Sequence, residues 1–147
     1  NNLYSFQGHS IEARIYAETP DHNFFSSTGR IEYLHIPSGP FVRVDSGIST
    51  EVEITSNYDP MIIKVASWGE NRNIAINRLK STLEEMVISG LITNTSFLIY
   101  ILTLKNFNNG KYDINMIKSM SNKNLYNKEN VSLLISSAIK LYQINNT

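Results

Sequence analysis

From residue 11 to about residue 68 the apolar side chains fall in short runs. Ile11, Ala13, Ile15 and Ala17 alternate with Glu12, Arg14 and Tyr16, and further apolar or β-branched runs follow at 31–36, 41–44, 52–54 and 61–65. Alternation at every second residue marks a strand buried on one face. Pro20, Gly29, Pro37-Ser38-Gly39-Pro40, Gly47 and Pro60 lie between the runs, where turns need a fixed or a freed backbone. The first half thus reads as a β-rich meander.

Beyond Trp68-Gly69 the period changes. Ile76, Leu79, Leu83, Met86 and Val87 recur at helical spacing, with Arg78, Lys80, Glu84 and Glu85 mostly off that stripe. Asn71 is placed to cap the start and Gly90 to end the helix, which predicts a helix over 71–89. Thr93-Asn94-Thr95-Ser96 offers capping side chains to a shorter helix over 97–102, ended by the stretch from Asn106 to Gly110. Ten asparagines lie between Asn106 and Thr147, yet Val131, Leu134, Ile135, Ala138, Leu141 and Tyr142 still form a stripe that predicts a last helix over 130–142. The fold class that results is α+β: a β-rich antiparallel sheet followed by amphipathic helices, with the 71–89 helix backing the sheet. Residues 1–118 form the domain, and 119–147 are expected to be a helical extension packed on it.

Size and composition narrow the picture. At 147 residues the chain suits one compact domain. Thirteen Lys and Arg balance thirteen Asp and Glu, so no net charge draws it to nucleic acid or an anionic membrane, and neither is expected as a partner. There is no cysteine, which removes disulfide frameworks, zinc ribbons and thiol nucleophiles together. Apolar runs such as 97–102 stop well short of the roughly 20 residues that cross a bilayer, and the N-terminus lacks a basic-then-apolar targeting pattern. A soluble domain is expected. The chain opens at Asn1 without an initiator Met, so it is expected to be an excised piece of a longer protein.

Candidate chemistry is sparse. His9, His22 and His35 are far apart and lack ligand spacing, and Gly29, Gly39 and Gly47 are isolated, so neither a metal site nor a phosphate loop is expected. Asn57 to Lys64 contains Asp59-Pro60, which reads as an Asx-type turn leading into a buried strand. The stretch Gly8 to Glu18 is denser. As a strand it places Glu12, Arg14, Tyr16 and Glu18 on one face, with Arg14 between carboxylates two residues away. A guanidinium held on a strand can orient an anion or stabilise an enolate-like oxygen. A solvent face with weak cross-strand ion pairs also explains the pattern, and is the reading that pattern alone favours; periodicity does not settle it.

These residues carry a resemblance. Gly8-His9-Ser10-Ile11-Glu12-Ala13-Arg14-Ile15-Tyr16-Ala17-Glu18, Gly29-Arg30-Ile31, Val42-Arg43-Val44-Asp45-Ser46-Gly47, Tyr58-Asp59-Pro60-Met61-Ile62, Trp68-Gly69-Glu70-Asn71-Arg72 and Gly90-Leu91-Ile92-Thr93-Asn94 closely resemble, in order and spacing, the C-terminal domain of biotin carboxylase. Glu-Ala-Arg-Ile-Tyr-Ala-Glu looks most like the acyl-CoA carboxylases acting on acetyl-, propionyl- or methylcrotonyl-CoA, and less like pyruvate carboxylase. The resemblance implies ATP-dependent carboxylation of biotin on a carrier protein, by way of carboxyphosphate made from bicarbonate. It implies that Arg14, in the family's Glu-x-Arg motif, contacts the biotin ureido oxygen and helps stabilise the enolate form. Arg43 falls where bacterial members carry an arginine at a dimer contact, although Pro40-Phe41 departs from the usual Gly/Phe wording and Ser26-Ser27-Thr28 replaces a loop that usually carries proline.

The family's ATP-binding lysines, glycine-rich lid, magnesium-binding acids and bicarbonate motif precede the matching stretch. The implied cofactors, ATP, Mg and bicarbonate together with carrier-bound biotin, therefore belong to the full-length enzyme, and this piece alone is expected to be inactive. The implied partners are the upstream ATP-grasp domains, the biotin carboxyl carrier protein, a carboxyltransferase subunit and a second copy of the chain. The compartment would be cytoplasmic in a bacterium, mitochondrial or plastid in a eukaryote. A competing expectation, from a different class, is a non-enzymatic module that docks a carrier or partner subunit.

Overall fold

The computed structural model describes residues 7–57 and 59–120. The expected helix over 130–142, and nearly all of the expected extension over 119–147, lie outside the described residues, as does Tyr58. The longest alternating run forms β1 (His9–Tyr16), followed by β2 (Glu18–Thr19), a single 3-10 turn (Pro20–His22), β3 (Phe25–Ser26), β4 (Gly29–Arg30) and β5 (Tyr33–His35). Next come β6 (Val42–Ser46), β7 (Glu53–Ile54), β8 (Met61–Gly69), α1 (Arg72–Glu85) and β9 (Val87–Ser89), then α2 (Thr95–Thr103), α3 (Lys105–Asn108) and α4 (Asn115–Met120).

Every strand pairing is antiparallel, but the first half is not a meander. The main sheet has the order β1-β8-β6, so β1 pairs with a strand far along the chain and forms an edge. β2 pairs with β3, β4 with β7, and β5 with β9, each as a separate two-stranded ladder. The turn-forming residues between the early runs keep those strands short, and the long β8 supplies the partner that two of them need.

Alternation decides which face is buried. Ala13 and Ile15 of β1 and Ile63, Val65 and Ser67 of β8 are buried, and Ile76, Leu79 and Leu83 of α1 close over them. The polar atoms in this layer are satisfied, as buried groups must be. The Ser67 hydroxyl donates to the Ala75 carbonyl at 2.9 Å, and the Thr82 hydroxyl donates to the Arg78 carbonyl at 2.8 Å. Asn71 caps α1 as expected, its side chain accepting from the Ile74 N–H at 3.0 Å. Asp59 makes the expected Asx turn, accepting from the Met61 N–H at 2.9 Å as β8 begins.

The predicted helix over 71–89 is too long. α1 stops at Glu85, and Met86 is extended with its N–H closing the last turn on the Thr82 carbonyl at 3.1 Å. Val87 to Ser89 then pair with β5, Leu34 opposite Ile88. Gly90 does not end the helix. It sits at φ +106°, where a Cβ would fall 1.9 Å from the Arg30 carbonyl oxygen, so the backbones of two ladders meet there only because the side chain is a hydrogen.

Candidate functional site

β1 is held along one edge by β8, and its even-numbered residues look away from α1. Arg14 stands on that outer face with its side chain 59% exposed, and its Nε donates to Glu12 Oε1 at 2.9 Å. The hydrogen bond to Glu12, the Glu12 charge and then the Tyr16 side chain all raise the guanidinium pKa, so Arg14 is a fixed cation. Glu12 and Tyr16 lie two residues before and after it. Strand geometry alone therefore assembles the trio Glu12, Arg14 and Tyr16. Glu18 does not complete the row, because β1 ends at Tyr16 and Glu18 belongs to β2.

The register extends the face across the sheet. Arg14 lies opposite Lys64, and Lys64 opposite Asp45; one step along, Glu12 lies opposite Ala66, and Ala66 opposite Arg43. Arg14 and Arg43 thus share a face, on its two outer strands. Directly opposed cations repel, and each is answered by a carboxylate: Glu12 for Arg14, and Asp45 for Lys64 at 3.3 Å. Asp45 also accepts from Arg43 Nε at 3.0 Å, and this bond leads the causes that lower its pKa. At the end of the face Phe41 is exposed, its ring 5.2 Å from Trp68 and 4.9 Å from the Arg78 guanidinium, which donates to the Trp68 carbonyl.

Behind Arg14 the other edge of β1 is occupied by Asn94, which is only 7% exposed. Its backbone N–H donates to the Tyr16 carbonyl at 3.1 Å, and its side-chain oxygen accepts from the Tyr16 N–H at 3.0 Å. Its amide nitrogen donates to the Arg14 carbonyl at 3.3 Å. The sequence marked the 93–96 stretch as capping residues. Asn94 does occupy the N-cap position of α2, its carbonyl accepting from the Leu98 N–H at 3.0 Å, but its side chain makes no cap bond and turns to β1. Lys64 and Asn94 are the residues of this neighbourhood that sequence reasoning did not single out.

The histidines are all exposed, and among the described residues only His35 approaches a carboxylate, 4.0 Å from Glu85. Among the described residues no three His, Asp or Glu side chains converge to hold a metal ion. No helix among them is long and apolar enough to cross a membrane. A cavity of about 360 Å³ lies along the Ile11 end of β1, lined mainly by Leu79, Leu98, Ile101, Phe107 and Ile117. Its wall is largely apolar, whereas the charged groups gather on the outer sheet face.

Residues 12–119 match the family described as biotin carboxylase C-terminal domain. The chain belongs to that family. It is 34% identical over 138 residues to the mitochondrial methylcrotonoyl-CoA carboxylase subunit alpha of Glycine max, covering 94% of this chain and 19% of the relative. It is 41% identical over 115 residues to biotin carboxylase of Nostoc sp., covering 78% and 26%. Its fold superposes with a TM-score of 0.76 on the biotin carboxylase domain of Hydrogenobacter thermophilus 2-oxoglutarate carboxylase, at 38% identity over 80% of this chain and 27% of that one. That structure is of a domain dimer in complex with MgADP, ADP and bicarbonate. The chain spans about a fifth to a quarter of the length of these curated relatives. The mixed α+β architecture expected from the sequence is that of the biotin carboxylase C-terminal domain.

Proposed function

We propose that this chain forms the C-terminal part of the biotin carboxylase of an acyl-CoA carboxylase, and that Arg14 binds the biotin ureido oxygen during carboxylation. The observation that carries this reading is the exposed Arg14 guanidinium, fixed by Glu12 on the outer face of a strand whose opposite face is core. ATP, bound by other parts of the enzyme, would supply the phosphoryl group that activates bicarbonate. Arg14 would donate hydrogen bonds to the ureido oxygen while a base in the rest of the enzyme takes the proton from the ureido nitrogen, which bonds the carbon that carboxyphosphate gives up as its phosphate leaves. Negative charge gathering on that oxygen is then met by a cation already in place, which lowers the barrier without reorganisation.

The motif wording around Arg14 and the kinship with methylcrotonoyl-CoA carboxylase support the acyl-CoA assignment. In this reading the carrier protein presents biotin, a carboxyltransferase consumes carboxybiotin, and Arg43 with exposed Phe41 meets a second copy of the chain.

The test is Arg14→Met in the full-length carboxylase. Carboxylation of free biotin should fall about 100- to 1,000-fold, the usual effect of removing one donor to a developing oxyanion. The melting temperature should stay near that of the parent, because the side chain is exposed. A near-parental carboxylation rate rejects the role.

A further inference from the structure

We infer that Asn94 is a positioning residue for Arg14: its buried amide fixes the main chain of β1 at Arg14 and Tyr16 and so sets where the guanidinium stands. The inference rests on the reading that Arg14 acts on biotin.

An edge strand offers a row of unpaired N–H and C=O groups, and residues two apart present theirs to the same side. On β1 those of Arg14 and Tyr16 meet Asn94, which supplies a donor to the Arg14 carbonyl, an acceptor to the Tyr16 N–H and a backbone donor to the Tyr16 carbonyl. Blocking an edge needs no such match. A primary amide that pairs with groups two residues apart resists a one-residue slip of the strand, because sliding by one residue turns the main-chain groups to the other side.

The location sharpens the point. The β1–β8 register is regular from His9 to Ile15 and shifts between Ile15 and Tyr16, so the ladder loosens beside Arg14. The partner that orients the guanidinium, Glu12, belongs to the same strand and would move with it. What ties that stretch to the rest of the molecule is β8 on one side and Asn94 on the other. Asn94 is itself held at the start of α2 by Leu98.

A group acting through position must lower the step that needs Arg14 and spare the step that does not. Formation of carboxyphosphate from ATP and bicarbonate needs no biotin, so ATP hydrolysis with bicarbonate alone is the internal reference. In the full-length carboxylase, Asn94→Ala should lower kcat/KM for free biotin about 10- to 100-fold, the scale of a displaced reacting group. Hydrolysis without biotin should change less than about twofold, well inside that scale. In an Arg14→Met background Asn94→Ala should add no further loss, since the group it positions is gone.

Should Asn94→Ala not accumulate in folded form, Asn94→Asp carries the same comparison, because it keeps the shape and the acceptor toward Tyr16 but sets an oxygen against the Arg14 carbonyl. Unchanged biotin carboxylation in the Asn94 variant, equal loss of both activities, or additive loss in the double variant overturns the inference. If Arg14→Met alone keeps its activity, the underlying reading of Arg14 fails instead.

Discussion

Single side chains carry the electrostatics of this domain, and pH separates them. Burial, and secondarily the Asp59 charge, raise the Glu18 carboxyl above its ordinary value of 4.5. A carboxyl whose pKa is raised by folding binds its proton more tightly in the native state, so its contribution falls as pH rises through the window above 4.5 and is unfavourable at neutrality. Glu18→Gln is therefore expected to raise the melting temperature at pH 7 and to change little below pH 4, beneath the unfolded value; thermal scans at the two pH values check this. Asp45 has the opposite sign. Its pKa is lowered chiefly by Arg43, so its favourable contribution is present above about 3.8 and is lost as pH falls through the lower native value. Glu12, Arg14 and Tyr16 were legible as one face because a strand has period two. Lys64 was not singled out, because only the register reveals that it stands opposite Arg14. Asn94 was hidden for a different reason: a short amide before a helix reads as a cap, and its real partner lies about eighty residues earlier.

At the scale of elements, the stripe on α1 packs the sheet, and its burial sets the cost of disturbing it. Leu83 is 1% exposed against the β1–β8 layer, so Leu83→Ala should cost about 2 to 5 kcal/mol in denaturant titration, whereas a change near zero would contradict the packing. Gly90→Ala tests the crossing of two ladders. The added methyl would collide with the Arg30 backbone at a φ disfavoured for L-residues, so the variant should be destabilised by at least about 1 kcal/mol in the same titration. The helix start could be read in the sequence, because Asn71 is followed by a periodic stripe. Its end could not. Met86 and Val87 fit the helical period, and only pairing with Tyr33 to His35 draws 87–89 into a strand. The two-residue strands β2, β3 and β4 were equally invisible, since two residues carry no period, whereas β7 falls within the β-branched run at 52–54.

For the whole molecule, the sheet face gathers Arg14 and Arg43 on one surface, three strands wide, with core beneath. The proposed biotin site near β1 and the proposed contact between copies near β6 and Phe41 would therefore share one face. If Arg43 contributes to that contact, Arg43→Glu in the full-length protein should shift it toward monomer in sedimentation, and unchanged assembly would remove Arg43 from the interface. Membership of the biotin carboxylase C-terminal family was readable from the order of short motifs between Gly8 and Asn94, each dictated by a local need such as the strand face around Arg14 or the cap at Asn71. On the proposed reading the Arg14 cation serves biotin and not the activation of bicarbonate. That reading is tested most directly by measuring, in one preparation of full-length Arg14→Met, both transfer of labelled bicarbonate to free biotin and ATP hydrolysis without biotin. Transfer should collapse while hydrolysis persists; retained transfer, or a parallel collapse of both, would contradict it.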